Sequence, residues 1–254
     1  LLADAGHMLS DVAALSLSLF ASWISRRPPT PSRSYGFYRT EILAALVNGA
    51  TLIAISVWVF IEAWRRISSP PDVAGGTVMS IAAGGLVINL LGMWVLSGGR
   101  EANLNVRGAW LHVATDALGS VGTIIAGAAV AFLGWAWADP AASVAIALLV
   151  CWSSLALLKE SVEVLMEGTP TGIDPDLVRE SLAAVPGVRA IHDLHIWSIT
   201  SGRVSLSAHV DVDGSRPDRD VLPDLCVGLR ERFDITHVTL QLEAGCASRN
   251  ALHA

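Results

Sequence analysis

The sequence predicts an α-helical domain that crosses a membrane several times, followed by a small α+β domain. Of the 254 residues, 52% are hydrophobic and 16% are charged, whereas soluble domains carry about 25% charged residues. A run of about 20 residues without charge is long enough to cross the bilayer core as a helix. Such runs lie at residues 42–61, 77–97, 117–138 and 140–158. After about residue 168, the composition becomes that of a soluble protein.

Helix-breaking residues divide the apolar part of the chain into five predicted helices. Arg-Arg-Pro-Pro at 26–29 ends the first helix, because proline lacks a backbone N–H and restricts the residue before it. Gly98-Gly99 ends the third helix, and Pro140 begins the last one. The predicted helices are 1–25, 40–64, 77–97, 108–134 and 140–165. The chain begins with Leu-Leu rather than Met, so we expect one or more upstream helices to be missing from it.

Basic residues predict how these helices are oriented. The link at 26–39 contains four arginines, and Arg100 and Arg107 flank the link after the third helix. Because excess Lys and Arg marks the cytoplasmic side of a membrane protein, both links and the C-terminal domain are predicted to be cytoplasmic.

The C-terminal part predicts the element order helix, strand, strand, helix, strand. Its first helix runs from Asp174, the N-cap, to Val185, with proline at the first helical position. Alternation along the strands places Val204, Leu206, Ala208, Val210 and Val212 on one face, and His237, Thr239, Gln241 and Glu243 outward. The other predicted elements are strands Val188–Thr200 and Arg203–Asp213, helix Arg219–Phe233 and strand Ile235–Glu243. This order predicts a small sheet that two helices cover on one face.

Two His-x-x-x-Asp pairs, His7 with Asp11 and His112 with Asp116, lie within the apolar part. A spacing of four residues places both side chains of a pair on one helix face, one turn apart. Two such helices facing each other would supply the four ligands that tetrahedral zinc requires. Ionisable residues at membrane depth are costly and mark candidate functional sites.

The chemistry of these pairs favours transport coupled to protons. Imidazole must be neutral and carboxylate ionised to bind a metal, so protons compete with the ion. Protonation also relieves the cost of bare carboxylates in a low dielectric. Three alternatives remain: packing hydrogen bonds between His and Asp, a membrane metallohydrolase, and a metal sensor whose membrane part is only an anchor. The chain has no HExxH motif and no nucleophile elbow, so we expect no catalytic residues and no enzyme activity.

Charge and cysteine content exclude further classes of function. The net charge is −6 and there is no Lys/Arg-rich tract, which argues against a nucleic-acid partner. The three cysteines, Cys151, Cys226 and Cys246, form no CxxC motif, so neither a thiolate zinc site nor a disulfide framework is expected. No organic cofactor is predicted.

Five segments of the chain are distinctive: LLADAGHMLSD, YGFYRTEILAALVNG, NLNVRGAWLHVATDALGSVG, ADPAASV and HDLHIWSIT…SAHVDV. They resemble the cation diffusion facilitator family, in particular bacterial zinc exporters related to the cobalt-zinc-cadmium resistance facilitators and the vertebrate zinc transporters. The resemblance implies six transmembrane helices, of which the first is missing here, and a ferredoxin-like cytoplasmic domain. It also implies a homodimer and export of Zn²⁺, with Cd²⁺ and Co²⁺ as further candidates, in exchange for protons. The family's transport site falls on His7, Asp11, His112 and Asp116.

Similar cytoplasmic domains bind zinc at their dimer interface, and this implies a second, regulatory site. Its predicted ligands are His192, His209, His237 and Glu243, whereas His195 is expected to support packing. We predict a transmembrane domain at 1–168, a cytoplasmic dimerisation and metal-sensing domain at 169–246, and a tail at 247–254. The expected partners are divalent cations, protons, membrane lipid and a second copy of the chain, in a bacterial inner membrane.

Overall fold

The computed structural model describes residues 2–68, 75–133, 135 and 138–244. Within these ranges, side chains are described except at 2–12, 66–68, 75–81, 126, 130–133, 138–140 and 142. The predicted tail at 247–254 lies outside the described residues, as does Cys246. The chain divides into two compact units, Leu1–Val162 and Glu163–Ala254.

The first unit is built from five long helices, and this confirms the predicted helical membrane domain. They are α1 (Leu2–Ser25), α2 (Arg39–Ser68), α3 (Gly75–Ser97), α4 (Leu104–Leu133) and α5 (Ala138–Leu165), the last of which runs into the second unit. Among the described residues, three helices are long and apolar enough to cross a membrane: Arg39–Arg65, Leu104–Ala129 and Ser143–Leu165. Ala13–Ser25 and Ala82–Ser97 are shorter apolar helices.

Helix α4 begins four residues before the predicted position 108, because Asn103 caps it. The Asn103 side-chain oxygen accepts the backbone N–H groups of Asn105, at 2.8 Å, and of Val106, at 3.2 Å. This is the hydrogen bonding of an N-cap residue, which satisfies donors that the first helical turn cannot satisfy internally.

Close helix packing in the first unit depends on small residues. A Cβ atom at Gly108 of α4 would lie 3.3 Å from Leu157 of α5 and 3.7 Å from the Cα of Ala45 in α2. A Cβ atom at Gly49 of α2 would lie 3.3 Å from Leu158. Glycine at these two positions therefore lets α2, α4 and α5 approach one another, as small residues do in membrane helix bundles.

The second unit has the predicted order of elements, which confirms the small α+β domain. Its elements are α6 (Pro175–Ala183), β1 (Val188–Thr200), β2 (Arg203–Val212), α7 (Asp218–Phe233) and β3 (His237–Glu243). The strand order is β1-β2-β3, with β1 and β2 antiparallel and β2 and β3 parallel. Asp174 is the N-cap of α6 as predicted, because its side chain accepts the N–H of Asp176 at 2.9 Å.

Strand β3 begins two residues later than predicted, because Asp234 and Ile235 complete the end of α7. Asp234 has a left-handed backbone (φ 55°), and its N–H bonds to Arg230 O. The N–H of Ile235 bonds to Leu229 O, and the Ile235 side chain is fully buried. A left-handed residue after the helix, with its backbone bonds returning to the last turn, is a common helix C-terminus.

The core of the second unit lies between one face of the sheet and the two helices. Leu206, Ala208, Val210 and Val212 of β2 are buried on this face as the alternation predicts. The buried residues that meet them from the helices are Val178, Leu182, Val221, Leu225 and Leu229. On the opposite face, which we call the outer face, Glu243 is also buried, although an outward position at the end of a strand suggested exposure.

Candidate metal centres

The His112–Asp116 pair lies on α4 with the geometry that its spacing predicts. His112 Nε2 and Asp116 Oδ2 are 3.9 Å apart, and the side chains are 4% and 17% exposed. Both side chains therefore present a ligand atom to one region inside the helical unit. An imidazole nitrogen and a carboxylate oxygen are ordinary zinc ligands.

The other predicted pair, His7 and Asp11, lies on α1, but its side chains are outside the described residues. The packing of α1 nevertheless relates the two helices. Asn105 Nδ2 of α4 donates to the backbone oxygen of Ser18 in α1 at 2.7 Å, and both residues are buried. Asn105 precedes His112 by seven residues, and Ser18 follows position 11 by seven residues. Seven residues are about two helical turns, or roughly 10 Å of rise.

In the second unit, the three strands bring His192, His209 and Glu243 together on the outer face. His192 and His209 are neighbours in the β1–β2 register, and Glu243 is the last residue of β3. One possible ligand atom from each of the three residues lies within 4.8 Å of those of the other two. His209 Nδ1 is 2.7 Å from Glu243 Oε1, and the ring centroids of His192 and His209 are 5.2 Å apart.

Two buried atoms of this cluster lack hydrogen-bond partners within the described part of the chain. They are His192 Nε2 and Glu243 Oε2, which face each other at 3.5 Å. Leaving buried polar atoms unpaired is costly. A cation bound by both atoms would remove this cost, so the donor set fits a metal ion. Two imidazoles and one carboxylate are three ligands of the kind that zinc takes.

Two residues that sequence analysis did not single out also belong to this region. Gln241 Nε2 donates to Glu243 Oε1 at 2.8 Å. Asp193, at an irregularity in β1 and with φ 51°, lies between two imidazoles. Its Oδ1 is 3.0 Å from His195 Nε2, and its Oδ2 is 3.8 Å from His209 Nε2. In the sequence, the signal that could have identified Asp193 is its position between two histidines in HDLH. Its left-handed backbone is one that Asp adopts more readily than most residues.

His237, the fourth predicted ligand, lies away from this cluster in the fold of a single chain. It pairs with Ser205 at the other end of β3, whereas His209 pairs with Gln241. Four residues along a strand correspond to roughly 13 Å. His237 is exposed at that position.

Comparison with known proteins gives consistent matches along the chain. The family model described as "Cation efflux transmembrane domain" matches residues 1–166, and that described as "Cation efflux protein, cytoplasmic domain" matches residues 170–245. The metal cation efflux system protein CzcD of Cupriavidus metallidurans is 45% identical over 253 residues, which cover 99% of this chain and 80% of that protein.

Other relatives have related names. The cadmium, cobalt and zinc/H(+)-K(+) antiporter of Bacillus subtilis is 45% identical, with coverage of 96% of this chain and 79% of that protein. The zinc transporter ZitB of Escherichia coli is 43% identical, with coverage of 96% and 78%. A solved structure, the metal-bound C-terminal domain of the CzcD transporter from Cupriavidus metallidurans, is 49% identical, covers 28% of this chain and 99% of that chain, and has a TM-score of 0.27.

Proposed function

The chain belongs to the cation efflux family, and we propose on that premise that it exports Zn²⁺ from the cytoplasm in exchange for protons. Cd²⁺ and Co²⁺ are further candidate substrates, since a relative with 45% identity is named a cadmium, cobalt and zinc antiporter. The family model and the names of these bacterial relatives describe cation efflux and transport, so the metallohydrolase alternative is dropped and the chain is assigned to a bacterial inner membrane.

The observation that carries this proposal is the buried His112–Asp116 pair inside a helix long enough to cross the membrane. We propose that His7 and Asp11 complete the transport site. The Ser18–Asn105 contact supports this assignment, because equal steps of seven residues along α1 and α4 lead to Asp11 and His112. With the two helices antiparallel, both residues then lie at a similar depth in the membrane.

Proton exchange follows from the chemistry of these ligands. The same lone pairs of imidazole and carboxylate bind either the metal or protons, so release of the ion and protonation are coupled. An empty set of carboxylates in a low dielectric is costly. Protons taken up from the outer side would neutralise the set after metal release, and alternating access would expose it to either side in turn.

For the cytoplasmic domain, we propose that His192, His209 and Glu243 bind a regulatory zinc ion in a homodimer. The support is the convergence of the three side chains and the two buried atoms among them, His192 Nε2 and Glu243 Oε2, that make no hydrogen bond to any described residue. His237 remains a predicted ligand of this site only if another part of the assembly brings it there. The fraction of clusters occupied by zinc would rise with the cytoplasmic concentration of the ion that the membrane domain exports.

The test is metal-driven proton flux in proteoliposomes that contain the full-length protein and a pH-sensitive dye. Wild-type protein is expected to move protons when zinc is added, and the double variant His112→Ala, Asp116→Ala is expected to lose this flux. Thr115→Ala is the matched control, because Thr115 lies between the two ligands on α4 and its hydroxyl donates back to Leu111 O of the same helix. Zinc flux that survives the double variant would refute the assigned site.

A further inference from the structure

A second polar cluster lies at one end of the helical unit, apart from the proposed transport site. It forms where the last turns of α1 meet the beginnings of α2 and α4. We call it the inner polar cluster, and it consists of Ser18, Ser22, Ser25, Glu41, Asn103 and Asn105. Neighbouring Asn48 of α2 is joined to it, because Asn48 Nδ2 donates to Ser18 Oγ at 2.7 Å.

Glu41 is the charged member of this cluster, and it is 8% exposed. Its Oε1 accepts hydrogen bonds from Ser25 Oγ at 2.8 Å and Ser22 Oγ at 3.2 Å. Its Oε2 accepts one from Asn103 Nδ2 at 2.7 Å. All three donors are neutral. Among the described residues, these hydrogen bonds bring no cationic side chain to the carboxylate. A carboxylate without a positive partner offers its oxygens to a cation, which it attracts by its negative charge.

Several basic residues near this end of the helices are engaged elsewhere. Their partners are aromatic rings or another carboxylate: Arg27 lies over Trp23, Arg33 over Phe37 and Arg100 over Trp110, and Arg107 pairs with Glu160. These arginines therefore do not provide the hydrogen-bonded counter-charge of Glu41.

Asn105 supplies an independent sign that the cluster has unused capacity for a ligand. The residue is 1% exposed, and its amide nitrogen is bonded to Ser18. Its side-chain oxygen, however, is buried and has no hydrogen-bond partner within the described residues. Amide and carboxylate oxygens are ligands for divalent cations. A site built from such oxygens binds zinc more weakly than a site that contains soft thiolates.

The inner polar cluster lies on the cytoplasmic side of the proposed transport site. Helix α5 leads into the part of the chain that matches the cytoplasmic domain of the family. Successive helices cross in opposite directions, so α2 and α4 begin on the cytoplasmic side. Asn105 precedes His112 by seven residues on the same face of α4, which places it roughly 10 Å nearer the cytoplasm.

We propose that Glu41 and Asn105 form a cytoplasmic intake site, through which a divalent cation passes before it reaches His112 and Asp116. The inference rests on the proposed export function. The Glu41 carboxylate attracts the ion and replaces part of its hydration shell, and the Asn105 oxygen provides a second ligand one step further inward. Because oxygen ligands hold zinc less firmly than imidazole does, the ion is passed on to the transport site rather than retained.

The test compares Glu41→Gln with Glu101→Gln in full-length protein reconstituted in proteoliposomes. Glu101 is an exposed carboxylate in the link between α3 and α4, two residues before Asn103, and is outside the cluster, so it controls for the general charge of this end of the helices. Removing Glu41 is expected to lower kcat/KM for zinc on the order of 10-fold, the scale of electrostatic focusing in charged clefts. The equilibrium Kd of zinc at the transport site, measured in detergent, is expected to stay unchanged in the Glu41→Gln protein. In the Glu101→Gln protein, both kcat/KM and this Kd are expected to equal those of the wild type.

A structural role of Glu41 would give a different result. It would change the equilibrium Kd and the thermal stability together with the flux, and that outcome overturns the proposal. Unchanged kcat/KM in folded Glu41→Gln protein, or an equal loss in Glu101→Gln protein, also overturns it. If Glu41→Gln does not fold, Asn105→Leu carries the same test: the same split between kcat/KM and Kd supports the intake site, and an unchanged kcat/KM refutes it.

The proposed function and the intake site can fail separately. Wild-type protein without zinc flux would contradict the export function itself. Wild-type protein with flux, together with an equally active Glu41→Gln variant, would leave export intact and remove only the intake site.

Discussion

Replacement of Glu243 by Gln is the sharpest test of the cytoplasmic cluster. Gln has nearly the same shape as Glu, so the β3 strand and the core on the other face of the sheet are expected to be kept. The change removes the only carboxylate of the three-residue cluster. It also lets the new amide nitrogen donate to His192 Nε2, which is 3.5 Å from the Glu243 carboxylate in the present structure.

The expected loss of zinc affinity follows from these contacts. Within the part of the chain that the structure describes, His192 Nε2 and Glu243 Oε2 are both buried and make no hydrogen bond, although they lie 3.5 Å apart. A buried polar group without a hydrogen bond costs about 1–3 kcal/mol. Zinc binding relieves this cost in the wild type, but in the variant the amide has already paired with His192. Together with the loss of the ligand charge, we expect a penalty of about 3 kcal/mol, which is about 100-fold in Kd.

The measurement is a competitive zinc titration against a chelating dye, in detergent and at fixed pH. It uses a His112→Ala, Asp116→Ala background so that the proposed transport site does not contribute. Asp211→Asn is the control, because Asp211 pairs with Glu243 in the β2–β3 register but lies outside the three-residue cluster. An unchanged Kd in the Glu243→Gln protein would refute the reasoning, as would an equal loss of affinity in the Asp211→Asn protein.

Three further predictions concern packing and cysteine reactivity. Gly108→Val is expected to lower the melting temperature of the protein in detergent, because its Cβ would lie 3.3 Å from Leu157; Gly119→Ala, with open space around its Cβ, should melt like the wild type. Leu206→Ala is expected to destabilise the cytoplasmic domain by about 2–5 kcal/mol, since Leu206 is fully buried, and faster hydrogen exchange of the β2 amides would show this. Burial raises the pKa of the Cys226 thiol, so its alkylation by iodoacetamide should be slower than that of free cysteine at the same pH, and an equal rate would contradict this.

The elements of the cytoplasmic domain could be predicted to within about two residues, because their signals are local. Strict alternation marks β2, and Asp174 followed by proline marks the start of α6. The His-x-x-x-Asp spacing likewise placed His112 and Asp116 on one face of α4. The membership of His7 and Asp11 in the same site stays a prediction.

The features that could not be predicted depend on residues distant in sequence. Glu243 is buried on the outer face because side chains of β1 and β2 surround it, and these are 34 or more residues away. Glu41 receives its hydrogen bonds from residues 16 to 62 positions away. Neither periodicity nor a short motif can indicate such long-range contacts. The surroundings of Glu243 and of Glu41 therefore could be identified only in the folded chain.

The cytoplasmic cluster takes one side chain from each of the three strands: His192 from β1, His209 from β2 and Glu243 from β3. Side chains along a strand alternate between the two faces of a sheet, so a slip of one residue moves a side chain to the opposite face. If β3 paired with β2 one residue out of place, Glu243 would point toward the helices instead of toward the two histidines. The cluster therefore forms only when β3 is in its native register with β2. An ion bound there would stabilise that register at the edge of the sheet.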